Sequence, residues 1–371
     1  MNQVEIGRGK RALRAYSFDD IYLSPSRRTR DGGLVSTQWQ IDAYGFAAPI
    51  MTAPTDSVVS PATAVQLGEL GVMAVLPLEG LWTRHEDPSA ALATLAKSES
   101  SAVSTSRLRE LYRAPVRPEL IRDRVREIAE SGVTAAAAVS PDRAEELAPI
   151  ATAAGLDLLV VRGTTVSAEH VSQSADALNL KEFVAQLDVP VVVGGCATYQ
   201  AALHLMRTGA AGVLVGFGGG SAHRTVNVLG IRVPMASAVA DVAEARRDYL
   251  DESGGRYVHV IADGAVGTSG DLVKAIACGA DAVMVGAALA RSSEAPGGGF
   301  HWGPEAVHSE LLRGERVGLG VVGTSQEILF GPSSRADGTM NLVGALRKAM
   351  ATTGYSDIKE FQRVAINVRP R

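Results

Sequence analysis

Cysteine is scarce in this chain: Cys196 and Cys278 are the only two among 371 residues. Two thiols cannot build a disulfide framework or a thiolate metal cluster. Lysine is also thin, at six residues, and none stands at the end of a strand-like run, which disfavours Schiff-base chemistry. No apolar run reaches about 18 residues, so a membrane span is not expected. No histidine and carboxylate pair has metal spacing, so no metal is expected either. Excess positive charge is missing too: 36 Lys and Arg against 40 Asp and Glu leave a net charge of −4. That removes the electrostatic reason to expect nucleic acid or an anionic membrane as a partner. The first residues, MNQVEIGRGKRALRAYS, are basic but have no apolar segment behind them. A secretory signal is therefore not expected, and a cytoplasmic location is.

What the chain does have is apolar residues and glycine. Hydrophobic residues make up 46% against 20% charged, enough for a large buried core. One joint recurs: an amphipathic run, a glycine, then a short β-branched apolar run. It appears around Gly71, Gly132, Gly155, Gly209 and Gly279. Glycine suits the left-handed position that ends a helix, and the apolar runs are short enough to be buried strands. Ile121, Val125 and Ile128 follow helical spacing, as do Leu147, Ala151 and Ala154.

Strands are predicted near 48–53, 72–77, 135–140, 158–162, 190–195, 212–216, 258–263 and 282–286. Eight strand–helix units predict a (β/α)8 TIM barrel, with an open doubly wound sheet as the alternative because strand count does not prove closure. The expected layout is one barrel over 1–371, with an N-terminal extension, insertions at 78–118, 216–234 and 287–341, and C-terminal helices. All three insertions follow the C-terminal end of a strand, where barrel enzymes place their chemistry. Within them SESSAVSTS reads as mobile, and APGGGFHWG and GPSSRADGTM read as loop.

The densest glycine cluster, GFGGGSAHRT, runs from Gly216 through Gly218 and Gly220 to Thr225 after the sixth strand. Such a loop lets backbone N–H groups approach a phosphate or a ligand edge. Asp263-Gly264 ends the seventh strand and Gly286-Ala287 the eighth, the usual phosphate side of this fold, where helix N-termini supply free N–H groups. Asp263 would repel a phosphate and is expected to accept hydrogen bonds from ribose hydroxyls. His85 and His301 read as solvated loop residues, and Cys196 and Cys278 as core.

These residues carry a resemblance. The segments YSFDDIYLSPSRR, APIMTAPTDSV, GGCATYQAALHLMRTGAAGVLVGFGGGS and IADGAVGTSGDLVKAIACGADAVMVGAALARSSEAPG make the chain similar to the IMP dehydrogenase/GMP reductase family. It most resembles the bacterial IMP dehydrogenase-related subfamily without CBS domains. The resemblance implies a (β/α)8 barrel, a purine 5′-monophosphate ligand (IMP, GMP or XMP), NAD, a monovalent cation and a homotetramer. Phosphate and ribose contacts would fall on Ser221, Asp263, Gly264, Gly286, Ala265 and Ala287, the last two replacing glycine and serine. Thr55 stands where a methionine packs near the purine, and Met284 matches the residue before the phosphate turn. Gly216, Gly218, Gly220 and Arg162 would be loop, cofactor or ion contacts, and Thr225, two residues past the nucleophile position, would be catalytic with His223.

Three departures concern the chemistry. His223 stands where the family has the cysteine whose thiolate attacks purine C2. Arg162 replaces a cofactor-contacting aspartate. The flap that activates water is not recognisable in GGGFHWGPEAV. Three function classes follow: an IMP-oxidising enzyme, a nucleotide-binding regulatory protein that associates with an active paralogue, and a different reaction with His223 as acid or base, with or without a flavin.

Overall fold

A computed structural model describes residues 3–97, 101–171, 178–217, 219–307 and 310–369. Eight parallel strands form one sheet: β1 (Ile50–Thr52), β2 (Val75–Pro77), β3 (Ala136–Val139), β4 (Leu158–Arg162), β5 (Val191–Cys196), β6 (Gly212–Val215), β7 (His259–Asp263) and β8 (Ala282–Val285). Each pairs with the next in sequence, from β2 to β8, and β8 pairs with β1. Met51 bridges Met73 just ahead of β2, with Met73 N–H donating to Ile50 O at 3.0 Å and Thr52 N–H to Met73 O at 2.8 Å. The sheet closes on itself, so the fold is a (β/α)8 barrel and not an open sheet.

A helix of the outer ring follows each strand, with further helices in the insertions: α1 (Pro61–Glu69), α2 (Pro118–Glu130), α3 (Ala144–Thr152), α4 (Leu180–Ala185), α5 (Tyr199–Met206), α6 (Met235–Glu252), α7 (Ser269–Ala277) and α8 (Leu342–Thr353). The α2 sequence shows why these form. Proline opens it, where no N–H is needed, and Glu119 sits in the first turn, where a carboxylate favours the helix dipole. Ile121, Val125 and Ile128 then fall on one buried face, each contributing on the order of 1.5–3 kcal/mol. Gly132 follows at φ +83°, and the other four joint glycines also have positive φ. At Gly279 a side chain is excluded twice over: φ is +114°, and a Cβ would lie 2.6 Å from that of Ala243.

The strands are shorter than predicted at several edges, and two insertions hold more structure than expected. Residues 98–100 of SESSAVSTS lie outside the described residues, but Ser101–Tyr112 is a helix. It and the helix Ser89–Ala96 fold over a small second core containing Leu81, Leu92, Leu95, Leu108 and Trp302. In the last insertion, Phe300–His301 pairs antiparallel with Val317–Gly318, so APGGGFHWG contains a short strand. The pattern was missed because both segments are held by contacts with distant chain and have little periodicity of their own. Among the described residues no helix is long and apolar enough to cross a membrane.

Candidate functional site

The C-terminal mouth of the barrel holds a cavity of about 350 Å³. Its walls come from separate stretches of sequence, among them Ser17–Asp19, the ends of β1 and β4, the Gly-rich loop after β6, the end of β7, the turn after β8 and His301 and Gly303 of the last insertion. Ser221, His223, Asp263, Gly264, Ala265, Met284, Gly286, Ala287, Thr55, Gly220 and Arg162 all line it. Gly216 sits at the end of β6 with φ +142°, where a Cβ would collide with Asp263 O. Thr225 is buried at the start of the short helix Thr225–Leu229 and does not face the cavity. Gly218 lies outside the described residues.

The loop after β6 is tied to the last insertion. His223 bridges Gly314, Glu315 N–H donates to Ala222 O at 2.9 Å, Arg224 N–H donates to Arg313 O at 2.7 Å, and Arg224 pairs with Glu315. The loop after β7 packs on it, with Ala265 N–H donating to Gly219 O at 3.2 Å. Ala265 holds φ +56°, a conformation that favours glycine, which accounts for the expectation of a glycine there.

Three expectations need correction. Arg162 does not stand alone for a cofactor: its Nε donates to Asp263 Oδ2 at 3.0 Å, and both side chains are largely buried. Asp263 therefore keeps only part of its accepting capacity for a ribose. The start of α7 offers no free cluster of N–H groups. Asp271 accepts from Gly267 and Thr268 N–H, Thr268 Oγ1 accepts from Asp271, and Gly338 O accepts from Ser269. His301 is not solvated but 6% exposed, at the end of a buried chain in which Thr55 Oγ1 meets Ser57 Oγ (3.0 Å) and Ser57 Oγ meets His301 Nδ1 (2.9 Å). His85 is also partly buried, its Nε2 2.9 Å from Leu111 O.

Two groups were not singled out from sequence. Glu305 is 8% exposed, and its Oε2 lies 3.8 Å from His223 Nδ1. Asp56 is buried beside Thr55, accepting from Leu81 N–H at 2.9 Å and from Tyr112 OH at 2.5 Å. Glu305 is the only carboxylate between Glu294 and Glu310 and follows His301 by four residues in a Gly-rich stretch. That isolation was its one available signal.

Asp56 and Tyr112 belong to a second cavity of about 520 Å³, which shares Thr55, Arg162 and Gly303 with the first. Arg84, Arg109 and Arg113 also line it, making it the more cationic of the two. Neither thiol reaches either cavity. Cys196 is fully buried with Sγ 3.4 Å from Leu214 O, Cys278 caps α7, and burial pushes both thiols up to about 12.

Burial also shifts groups whose titration should be visible in stability. It pushes His301 and His259 down to about 4 and Asp56 up to about 6. A depressed histidine contributes stability present above its unfolded value near 6.5 and lost as pH falls toward 4. A raised carboxyl contributes stability present below about 3.8 and lost as pH rises through 6. Between pH 6 and 4 the unfolded chain thus holds two protons on these groups and the folded chain one. The difference, 2 − 1 = 1, makes stability fall by about 1.4 kcal/mol per pH unit on acidification. Urea unfolding at pH 6 and pH 5 checks this, and a flat or rising stability on acidification contradicts it.

The family model described as IMP dehydrogenase / GMP reductase domain matches residues 15–314. An uncharacterised oxidoreductase of Mycobacterium leprae is 52% identical over 372 residues, covering 98% of this chain and 99% of its own. A crystal structure of an IMP dehydrogenase/GMP reductase-like protein from Corynebacterium glutamicum superposes with a TM-score of 0.94 at 47% identity, covering 99% of this chain and 98% of that one. An inosine-5′-monophosphate dehydrogenase of Thermoplasma acidophilum is 35% identical over 263 residues, covering 66% of this chain and 50% of that protein. On these matches the chain belongs to the IMP dehydrogenase/GMP reductase family.

Proposed function

We propose that the smaller cavity binds a purine 5′-monophosphate and the larger, adjoining one a nicotinamide dinucleotide, as in an oxidoreductase of this family acting on IMP. The observation that carries the reading is convergence: Ser221, Asp263, Gly264, Met284 and Gly286 come from three separate loops and line one cavity. The neighbouring cavity fits an anionic cofactor, since Arg109 lines it and its Nε is buried without a hydrogen-bond partner among the described residues. Arg84, Arg109 and Arg113 would hold the pyrophosphate of NAD, whose nicotinamide supplies hydride acceptance when bound.

Binding without efficient turnover of IMP is the form of this reading that the thiols favour. No thiol lines the cavity, so a regulatory or co-assembling role beside an active paralogue is the second reading. Self-association into a tetramer in the cytoplasm belongs to the same proposal. Exposed apolar residues support an assembly surface on the N-terminal hairpin (Ile6, Leu13) and on the mouth loop (Val226, Val228, Leu229, Ile231).

The test is thermal unfolding with IMP, GMP, XMP, NAD and FMN in turn. A purine monophosphate at 100 times its dissociation constant is expected to stabilise the fold by about 2.7 kcal/mol. If neither IMP nor GMP at millimolar concentration shifts the melting temperature of nucleotide-free protein, the reading fails.

A further inference from the structure

Two polar atoms at the mouth are buried and face each other without meeting. Among the described residues, His223 Nδ1 and Glu305 Oε2 have no hydrogen-bond partner, and they stand 3.8 Å apart. Their side chains are 14% and 9% exposed. A buried carboxylate oxygen without a donor is costly, so the gap is a place where a donor belongs. A small rotation of the imidazole, or one water, would bring Nδ1–H to the carboxylate.

The surroundings fix which way the pair points. A Cβ at Gly303 would lie 2.7 Å from Glu305 Oε2, so the absence of a side chain there lets the carboxylate approach. The opposite edge of the ring lies toward the cavity. A Cβ at Gly220 would be 3.4 Å from His223 Cδ2, and one at Gly303 would be 3.8 Å from Nε2. Both glycines line the cavity, and Glu305, on the Nδ1 side of the ring, does not. The charged and titratable neighbours of the pair are Arg162, with Asp263 beyond it, and His301.

We propose that His223 is the general base of this cavity and that Glu305 is its positioning residue, holding Nδ1–H so that Nε2 is left unprotonated toward the ligand. The step is one proton transfer. A water or ligand O–H or N–H gives its proton to Nε2, and the electron pair stays on the donor atom. The imidazolium charge is met by the Glu305 carboxylate, the arrangement that makes an oriented imidazole effective in general-base catalysis. Only the identity of the ligand rests on the nucleotide reading; the pair itself does not.

The experiment is nitrogen NMR on the full chain labelled in histidine, with the His223 signals assigned by His223→Gln. At a pH where the ring is neutral, His223 is expected as the Nδ1–H tautomer, with Nε2 at the unprotonated position. Glu305→Met, similar in size but without an acceptor, is expected to move it to the Nε2–H form common for free imidazole. Glu305→Asp is expected to retain part of the Nδ1–H population. An Nε2–H tautomer in the unmodified protein, or a tautomer unmoved by Glu305→Met in a variant that still melts cooperatively, overturns the proposal. If Glu305→Met does not fold, the tautomer of the unmodified protein decides alone. No nucleotide is added, so failure here is distinct from failure of the binding reading.

Discussion

Replacing Asp281 by alanine is expected to cost about 3–5 kcal/mol of folding stability, a large share of what a domain has. Asp281 lies just before β8, at the pole of the barrel opposite the cavity, and is 1% exposed. Its Oδ2 accepts from Arg246 Nη1 and from Val260 N–H, both at 2.8 Å. Its Oδ1 accepts from Tyr257 OH at 2.8 Å, from Gln362 Nε2 at 3.2 Å and from Lys359. Burial alone would raise this carboxyl, yet Arg246, Lys359 and His259 outweigh burial and hold it at about 2. The pair is therefore net favourable for the charged form. Its contribution is present above the unfolded value of 3.8 and lost as pH falls toward 2.

Alanine removes the carboxylate and leaves the Arg246 guanidinium, 9% exposed, with the Gly279 carbonyl at 3.2 Å and the face of the Tyr257 ring but no carboxylate within salt-bridge distance among the described residues. An uncompensated buried charge is the costly result, more than the lost contacts themselves. Urea unfolding of Asp281→Ala at pH 7 measures it. A loss under about 1 kcal/mol would mean that the guanidinium finds water or another partner in the variant. Nucleotide affinity of the folded variant should be unchanged, because this network and the mouth lie at opposite ends of the strands.

The barrel was legible for a physical reason. Five of the helix–strand joints carry a glycine that takes positive φ, and the strands that follow are largely buried, so the two signals alternate along the chain. Closure was not legible, because it depends on two backbone hydrogen bonds between 50–52 and 73 that no periodicity announces. The site divided in the same way. Ser221, Asp263 and Gly286 stand at strand ends, where the fold itself brings them together. The Arg162–Asp263 pair joins residues 101 apart, and a replaced aspartate gives no hint that the new arginine at the end of β4 will turn across the mouth to the end of β7. Glu305 was hidden for another reason. Its proposed role is exerted through His223, and its neighbours Gly303 and Pro304 carry no secondary-structure period.

The other large effect concerns covalent chemistry. Incubated with IMP and NAD, the unmodified protein is expected to form no covalent nucleotide adduct and to reduce NAD very slowly or not at all. A thiolate is the nucleophile of this chemistry, and a thiol held near 12 is about 10⁻⁵ ionised at pH 7, even before its lack of access to the cavity is counted. His223 lines the cavity but offers an imidazole, suited to moving a proton and poorly suited to a stable bond with purine C2. His223→Cys places a thiol at the cavity wall. With IMP and NAD, sulfur then bonds to C2 as the C2 hydrogen leaves as hydride to NAD, and intact-mass measurement should show a nucleotide-sized increment absent from the parent. Turnover should remain partial at most, since Arg162 still pairs with Asp263 and the substitution removes the base that would activate water to release the adduct. Robust IMP-dependent reduction of NAD by the unmodified protein, unaffected by His223→Ala, would show that the reaction here needs neither the thiol nor the imidazole.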